Sequence, residues 1–185
     1  GYPETCSPGD YNREYWASAT LSHNTVMVNK KKQPRCNKGK LNRFVCTADY
    51  KYMEAESSPY AECSEFKRGL FMAKTPSGGY FYIDLFTIKG GEHHLYSFHT
   101  QSKEASTNLT LTPKAGTYAG EDVEFGTNHD FPNGFSWLFN VRDGANPTDK
   151  FTIDFKQEDF RKVMGEEFDL TVRFTMLSPV DRVTL

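Results

Sequence analysis

The sequence lacks the features that mark a membrane-spanning or nucleic-acid-binding protein. No apolar run approaches the roughly 18 residues that a transmembrane helix needs. The formal net charge at neutral pH is −2, whereas a nucleic-acid-binding protein normally carries a basic excess. We therefore expect no membrane span and no nucleic-acid partner.

Motifs of the common nucleophilic hydrolases and nucleotide-binding proteins are also absent. The chain contains no Gly-x-Ser-x-Gly elbow, no P-loop and no Gly-x-Gly-x-x-Gly sequence. Leucine is scarce, whereas aromatic residues make up 15% of the chain, with 15 Phe and 10 Tyr. This composition favours β-structure over a helical bundle. A length of 185 residues suits one domain with a substantial core.

Cysteine is confined to the first third of the chain, at Cys6, Cys36, Cys46 and Cys63. Four cysteines can form two disulfides in three ways, as in proteins of oxidising compartments. Four reduced thiols are the alternative, and the spacing matches no zinc motif. We favour two disulfides and leave their pairing open.

The longest strand pattern runs from Tyr80 to Ile88. Both of its faces are apolar, which predicts a strand that is covered on both sides. Asp84 interrupts one face and must be paired, hydrogen-bonded or placed at a wet edge, because burying an unpaired carboxylate is costly. A Gly-Gly turn leads into a returning strand with three of the five histidines of the chain, at His93, His94 and His99.

Alternating apolar and polar residues predict further strands along the chain. These lie at Leu21–Val28, Leu41–Thr47, Phe66–Met72, Asn108–Thr112, Phe135–Val141, Phe151–Phe155, Phe168–Met176 and Val180–Leu185. Helix is expected only in a turn at Tyr11–Trp16, capped by Asp10, and briefly at Gln157–Met164. The spacing of strands and turn signals predicts a single antiparallel β-sandwich domain over residues 1–185. The last strand pattern continues to the chain end, so we expect a fragment of a longer protein.

The segment from Lys30 to Arg43 is strongly basic. It contains seven cations and no acidic residue, with a proline and a glycine that indicate a loop. One interpretation is a solvated loop; the other is an electropositive rim that attracts a polyanion.

The histidines are the remaining candidates for chemistry, since imidazole titrates near neutral pH. A regular strand would point His94 and His99 to opposite faces. These two side chains therefore cannot serve one site unless a bulge lies between them. A ring that is hydrogen-bonded to a neighbour is the structural alternative for each.

Three stretches of the chain resemble segments of the heparinase II/III-like protein family. Ser22-His23-Asn24-Thr25-Val26, followed by a polar turn and Gln33, resembles an "HNTV" strand of that family. The second stretch, from Tyr82-Ile83-Asp84-Leu85-Phe86 through Lys89-Gly90-Gly91 to Tyr96-Ser97-Phe98-His99, is similar to a family hairpin. Trp137-Leu138-x-Asn140-Val141-Arg142 resembles a later family segment. The three stretches also occur in the family order.

The resemblance implies a polysaccharide lyase (EC 4.2.2 class) that cleaves uronate-containing glycans by β-elimination. Such proteins combine an α/α-toroid domain with an antiparallel supersandwich, and this chain resembles the sandwich part, with residues 1–20 as a possible linker. The helical domain supplies the tyrosine acid/base, so the isolated chain is expected to be inactive. His23 matches the catalytic histidine of the sandwich. The implied location is the periplasm or the cell exterior, and the implied partners are an acidic polysaccharide and the helical domain.

Further site residues are proposed around this histidine. Candidate substrate-binding residues are Asn24, Arg13, Tyr15, Trp16, His94 and His99. Some family members also hold a structural metal, so zinc or calcium is considered, with the donors left open among His23, Asp49, Asp84, His94 and His99. Leu95 stands where relatives often have aspartate, which weakens the expected support of His94. The alternative function is a non-catalytic sandwich that binds acidic glycans or supports a catalytic partner.

Overall fold

The computed structural model describes residues 12–127, 133–145, 147, 150–165 and 168–185. Strands make up 43% of the structure and helical turns 7%, and all the strand pairs in these residues are antiparallel. The predicted all-β antiparallel fold with little helix is therefore confirmed. None of the described helical turns is long and apolar enough to cross a membrane.

The described residues form twelve strands and three short helical turns. The strands are β1 (Thr25–Val28), β2 (Gly39–Cys46), β3 (Tyr50–Ser57), β4 (Glu65–Lys74), β5 (Tyr80–Lys89), β6 (His94–Ser97), β7 (Ala105–Thr107), β8 (Thr112–Pro113), β9 (Arg142–Ala145), β10 (Phe151–Lys156), β11 (Thr171–Met176) and β12 (Arg182–Thr184). A π-helical turn spans Arg13–Ala17, and 3-10 turns span Thr20–Ser22 and Phe135–Trp137.

The chain divides into two compact units. The inner unit is Ala19–Ser97 and contains β1 to β6. The outer unit combines Gly1–Ser18 with Phe98–Leu185 and contains β7 to β12.

The inner unit contains a four-stranded sheet and a two-stranded pair. The sheet has the order β2-β3-β4-β5, so strands that follow each other along the chain are neighbours. A β-bulge interrupts the register of β2 between Leu41 and Arg43. The pair joins β1 to β6, in a register that runs from Thr25 opposite Ser97 to Val28 opposite His94.

The core of the inner unit lies where β1 meets one end of the four-stranded sheet. Val28, Tyr60 and Phe66 are buried together, with Phe86 and Ile88 packed against them. All three residues from Val26 to Val28 are buried, so β1 is covered on both faces. Burial of each such side chain stabilises the fold by about 1.5–3 kcal/mol, which makes β1 the best-anchored strand of this unit.

Among the described strands, β5 pairs with β4 alone and is an edge strand. Tyr82 is 72% exposed and Leu85 is 51% exposed, so the prediction of a strand covered on both sides is wrong. Only Phe86 and Ile88, near its C-terminal end, pack against the core. β1 and β6 have four residues each, so they are long enough to cover only the C-terminal end of β5. An apolar pattern reports which side chains a strand carries, but not whether enough chain lies nearby to cover them.

Asp84 is paired as expected. Its carboxylate accepts two hydrogen bonds from the Arg68 guanidinium, both at 2.8 Å, and one from the Tyr96 hydroxyl at 3.1 Å. The Arg68 guanidinium also lies 4.8 Å from the centre of the Phe86 ring. Burial raises the pKa of Tyr96, and the charge of Asp84 adds to this effect. This group, which we call the Asp84 network, links β4, β5 and β6.

The outer unit is built from two three-stranded sheets, with strand orders β11-β10-β7 and β12-β9-β8. Its core contains Phe151, Ile153 and Val183. The alternation predicted for β11 is confirmed over Thr171–Met176, where exposed and half-buried residues alternate. On the outside, Arg173 and Asp154 face each other across β10 and β11 and form two hydrogen bonds of 2.7 Å.

Several predicted elements of the outer unit differ from the structure. Phe135–Val141 is not a strand, because Gly134 has a left-handed φ of 84° and starts the Phe135–Trp137 3-10 turn. Asn140, with a φ of 55°, interrupts extended backbone before β9. The predicted strand at Asn108–Thr112 falls in the connection between β7 and β8, except for Thr112, which begins β8.

The predicted helix at Gln157–Met164 is also wrong. The Asp159 side chain accepts a hydrogen bond from the Met164 N–H at 2.6 Å, and the Asp159 carbonyl accepts one from Lys162. Lys162 itself has a φ of 52°. These local bonds close a turn in place of a helix.

The N-terminal half shows two smaller differences. The strand predicted to begin at Leu21 begins at Thr25, after the 3-10 turn, and β3 was not predicted at all. The predicted helical turn is present at Arg13–Ala17, whereas its proposed cap, Asp10, lies outside the described residues.

The described cysteines are not cross-linked. Cys36, Cys46 and Cys63 are free thiols, and Cys6 lies outside the described residues. Two disulfides would require all four cysteines to be bonded, so the prediction of two disulfides is wrong. The alternative of reduced thiols is correct for these three cysteines.

The Asp84 network generates a stability prediction. We expect Asp84→Asn to lower the free energy of unfolding by about 1–3 kcal/mol, because it leaves a half-buried guanidinium without its charged partner. The matched variant is Asp154→Asn, which breaks the same kind of Arg–Asp pair where the Arg173 side chain is 66% exposed, compared with 34% for Arg68. We expect this control to cost less. Urea unfolding of both variants measures the difference, and equal losses would contradict the prediction.

Glu65 generates a pH prediction. Hydrogen bonds from Lys67 and then Lys89 lower the pKa of its carboxyl from 4.5 to about 2. Because the folded pKa is depressed, the stabilisation is present above pH 4.5 and is lost as the pH falls toward about 2. Glu65→Gln should therefore reduce the pH dependence of the melting temperature in this window. Glu92→Gln, at an exposed position of the same unit, serves as the control, and an unchanged profile for Glu65→Gln would rule out this role.

Candidate functional site

His23 is exposed at the start of a firmly held strand. The preceding 3-10 turn contains the buried Thr20 and Leu21, and the His23 N–H donates a hydrogen bond to the Thr20 carbonyl at 3.2 Å. The buried Ser97 hydroxyl donates to the His23 carbonyl at 2.6 Å. The backbone of His23 is thus held on both sides while its imidazole faces outward. Asn24 is exposed beside it.

Two of the stretches that resemble the heparinase II/III-like family are neighbours in the structure. The His23 stretch continues into β1, and the hairpin stretch ends in β6, which pairs with β1. Asn29 adds a side-chain link, because its Oδ1 accepts hydrogen bonds from the N–H groups of Glu92 at 2.8 Å and His93 at 3.1 Å. The position of the His23 backbone therefore depends on the hairpin.

His94 is exposed and has a local partner. Its Nε2 lies 2.8 Å from the carbonyl oxygen of Gly90, so the ring spans the turn between β5 and β6. The Gly90 carbonyl thus holds the His94 ring, a role that Leu95, standing where relatives often have aspartate, does not fill. The contact matches the structural alternative of a ring hydrogen-bonded to a neighbour.

A row of aromatic rings runs through the outer unit and includes two predicted site residues. Trp16 contacts His99 edge-on, with the ring centroids 5.9 Å apart, and stacks on Trp137 at 6.4 Å. Phe125 continues the row, with its centroid 5.4 Å from that of Trp137 and 5.0 Å from that of Phe139. We call these five residues the aromatic row. Arg13 and Tyr15 are half-buried in the same helical turn as Trp16.

The structure thus brings Trp16 and His99 together, as predicted residues of one site. Phe125 and Phe139 were missed, because nothing in their sequence surroundings distinguishes them from core residues. Trp137 was noted only as part of a family-like segment. The glycine at position 126, next to Phe125, could have indicated a close contact here. In the structure Gly126 has a φ of 73° and packs beneath the Trp137 ring.

The far end of the aromatic row opens on an acidic hollow of about 370 Å³. Its walls include Phe125 and Phe139 together with three carboxylates, Glu121, Asp122 and Glu124. Negative charge at this end would repel an anionic ligand.

The basic segment is largely exposed along a loop that leads into β2. Two of its cations have acidic partners: Lys31 lies 3.3 Å from Glu62, and Lys40 lies 3.0 Å from Glu56. A hydrogen bond from Asn42, and then one from Lys40, lowers the pKa of Glu56. Lys30, Arg35, Lys38 and Arg43 are exposed, whereas Lys32 is half-buried.

The proposed metal donors do not form a site. Within the described residues, no three His, Cys, Asp or Glu side chains are grouped so that they could hold a metal ion. Asp84 is instead engaged by Arg68 and Tyr96. The donor set suggested by the resemblance therefore does not fit zinc or calcium here.

The predicted site residues divide between the two units. His23, Asn24 and His94 belong to the inner unit, whereas Arg13, Tyr15, Trp16 and His99 belong to the outer unit. Comparison with protein-family profiles, with curated proteins and with solved structures finds no match to this chain.

Proposed function

We propose that this chain is the β-sheet part of a polysaccharide lyase that acts on uronate-containing acidic glycans. The observation that supports this best is the placement of His23, with an exposed imidazole on a backbone fixed by the 2.6 Å bond from Ser97. A core histidine would be enclosed. An exposed ring on a rigid strand end is instead what a reacting group requires.

The chemistry is a β-elimination. A base removes the proton at C5 of the uronate, the electron pair forms a double bond between C4 and C5, and the bond from C4 to the glycosidic oxygen breaks. An acid protonates that oxygen. Imidazole suits the role of the base, or of a group that stabilises the substrate carboxylate, because its proton exchanges near neutral pH.

The remaining groups come from outside these sheets. By resemblance, the tyrosine acid belongs to a helical domain, and the described helices of this chain are three short turns. We therefore propose that the chain alone is inactive and that the complete enzyme works in the periplasm or outside the cell. Within the outer unit, Trp16 and His99 provide rings on which a sugar can stack.

The lyase proposal predicts the effect of His23→Ala in the natural full-length protein that contains this chain. With heparan sulfate, chondroitin sulfate and alginate as substrates, we expect this variant to lower kcat by roughly 100-fold or more, the usual contribution of a general base. Absorbance of the unsaturated uronate product measures the rate. His93→Ala removes another exposed histidine and should leave the rate unchanged. Activity of this chain by itself, or full activity of His23→Ala, would refute the proposal.

A second candidate function is binding of acidic glycans without catalysis. The exposed basic segment favours it, because closely spaced cations attract a polyanion and most of them point to solvent. The same segment would also serve the lyase by holding the substrate. Binding without product formation is what distinguishes the two functions.

The basic segment predicts salt-sensitive retention of the chain on a heparin column. Replacing Lys30, Arg35, Lys38 and Arg43 by glutamine should move elution to lower salt, because screened electrostatic attraction is lost. The control replaces four other exposed lysines, Lys74, Lys114, Lys150 and Lys162, for the same change in net charge. An equal shift for both sets would show that net charge, and not the basic segment, determines retention.

A further inference from the structure

One face of the four-stranded sheet is apolar and open to solvent. Residues that are paired across antiparallel strands point to the same side, and Phe44, Met53 and Leu70 form one such row across β2, β3 and β4. On β2 the β-bulge shifts the register so that Leu41 lies opposite Ala55, on the same side as Met53. On β5, the alternation from Asp84, which is paired with Leu70, adds Tyr80 and Tyr82. We call these six residues the open face.

The open face is about as large as the largest apolar patch of a typical monomer. Phe44 is 63% exposed and Leu41 is 59% exposed, and the other four residues range from 37% to 72%. Large apolar side chains expose about 150–250 Å² each when free, so six that are about half exposed present on the order of 600 Å². Contiguous patches of this size on a monomer are usually interaction sites.

The charges on this side of the sheet are few. The only carboxylate among its strand residues is Asp84, which the Asp84 network already neutralises. Lys51 and Lys74 are exposed beyond the apolar residues. A centre rich in Phe, Met and Tyr and poor in charge is typical of the core of a protein–protein interface.

We propose that the open face packs against the same face of a second copy of this chain, in a twofold symmetric dimer. An isologous interface needs a self-complementary patch, and a flat apolar sheet face meets this condition. The patch approaches the roughly 800 Å² per partner that a stable interface buries. In this arrangement Lys51 and Lys74 remain at the solvated rim. The inference does not depend on the lyase proposal, because none of the six residues is a predicted site residue.

Sedimentation of this 185-residue chain from about 1 to 100 µM tests the dimer, since interfaces of this size reach micromolar affinity or better. We expect a concentration-dependent dimer that Leu41→Glu disrupts. The matched control is Leu85→Glu. Leu85 is a leucine of similar exposure on β5, the other edge strand. It lies on the opposite face of the sheet, in line with Gly69 and Glu54. Tyr82→Glu is a second variant of the open face, should Leu41→Glu alter the circular dichroism spectrum.

Cys46 gives an independent readout, because its register with Lys51 and Met72 places it on the same side as the open face. Its alkylation by a maleimide should slow as the wild-type concentration rises, whereas Cys36 reacts at a constant rate. A monomer at every concentration would overturn the proposal, as would a dimer that Leu85→Glu disrupts equally. A monomer that binds anionic phosphatidylglycerol vesicles through Leu41 would assign the face to a membrane and overturn it too.

Discussion

The Asp84 network is the interaction on which the arrangement of the inner unit depends. A carboxylate on an otherwise apolar strand is tolerated because Arg68 forms two hydrogen bonds with it and Tyr96 forms a third. These bonds tie the long hairpin of β4 and β5 to β6. Since β6 pairs with β1, the same network also fixes the strand that begins beside His23.

The two proposals use different consequences of this arrangement. The β1–β6 pair and its core cover one end of the four-stranded sheet, so His23 gains a rigid support there. The other end of the sheet receives no cover from β1 or β6, and its apolar side chains stay exposed. One short pair of strands thus accounts both for the support of a candidate catalytic group and for the surface that we propose as a dimer interface.

The predictions that held were those set by local chemistry. Asp84 was expected to be paired, hydrogen-bonded or at a wet edge, and it is paired with Arg68. The alternation in β11 exposes every second residue. Both follow from side-chain chemistry and the period of a strand. The failures lay at Phe135–Trp137 and at Gln157–Met164, where a left-handed glycine and an aspartate side chain redirect the backbone. Such turns depend on single residues, and a pattern averaged over a window does not resolve them.

The sequence by itself determined the antiparallel β-class, the pairing requirement of Asp84, and the identity of the candidate groups, His23 and Trp16 among them. Only the tertiary structure decided that β5 is an edge strand, that Trp16 meets His99, and that the proposed metal donors do not converge. The physical reason is that residue type and period are local properties. Burial and convergence depend on contacts between residues far apart in the chain, such as those between Ser97 and His23.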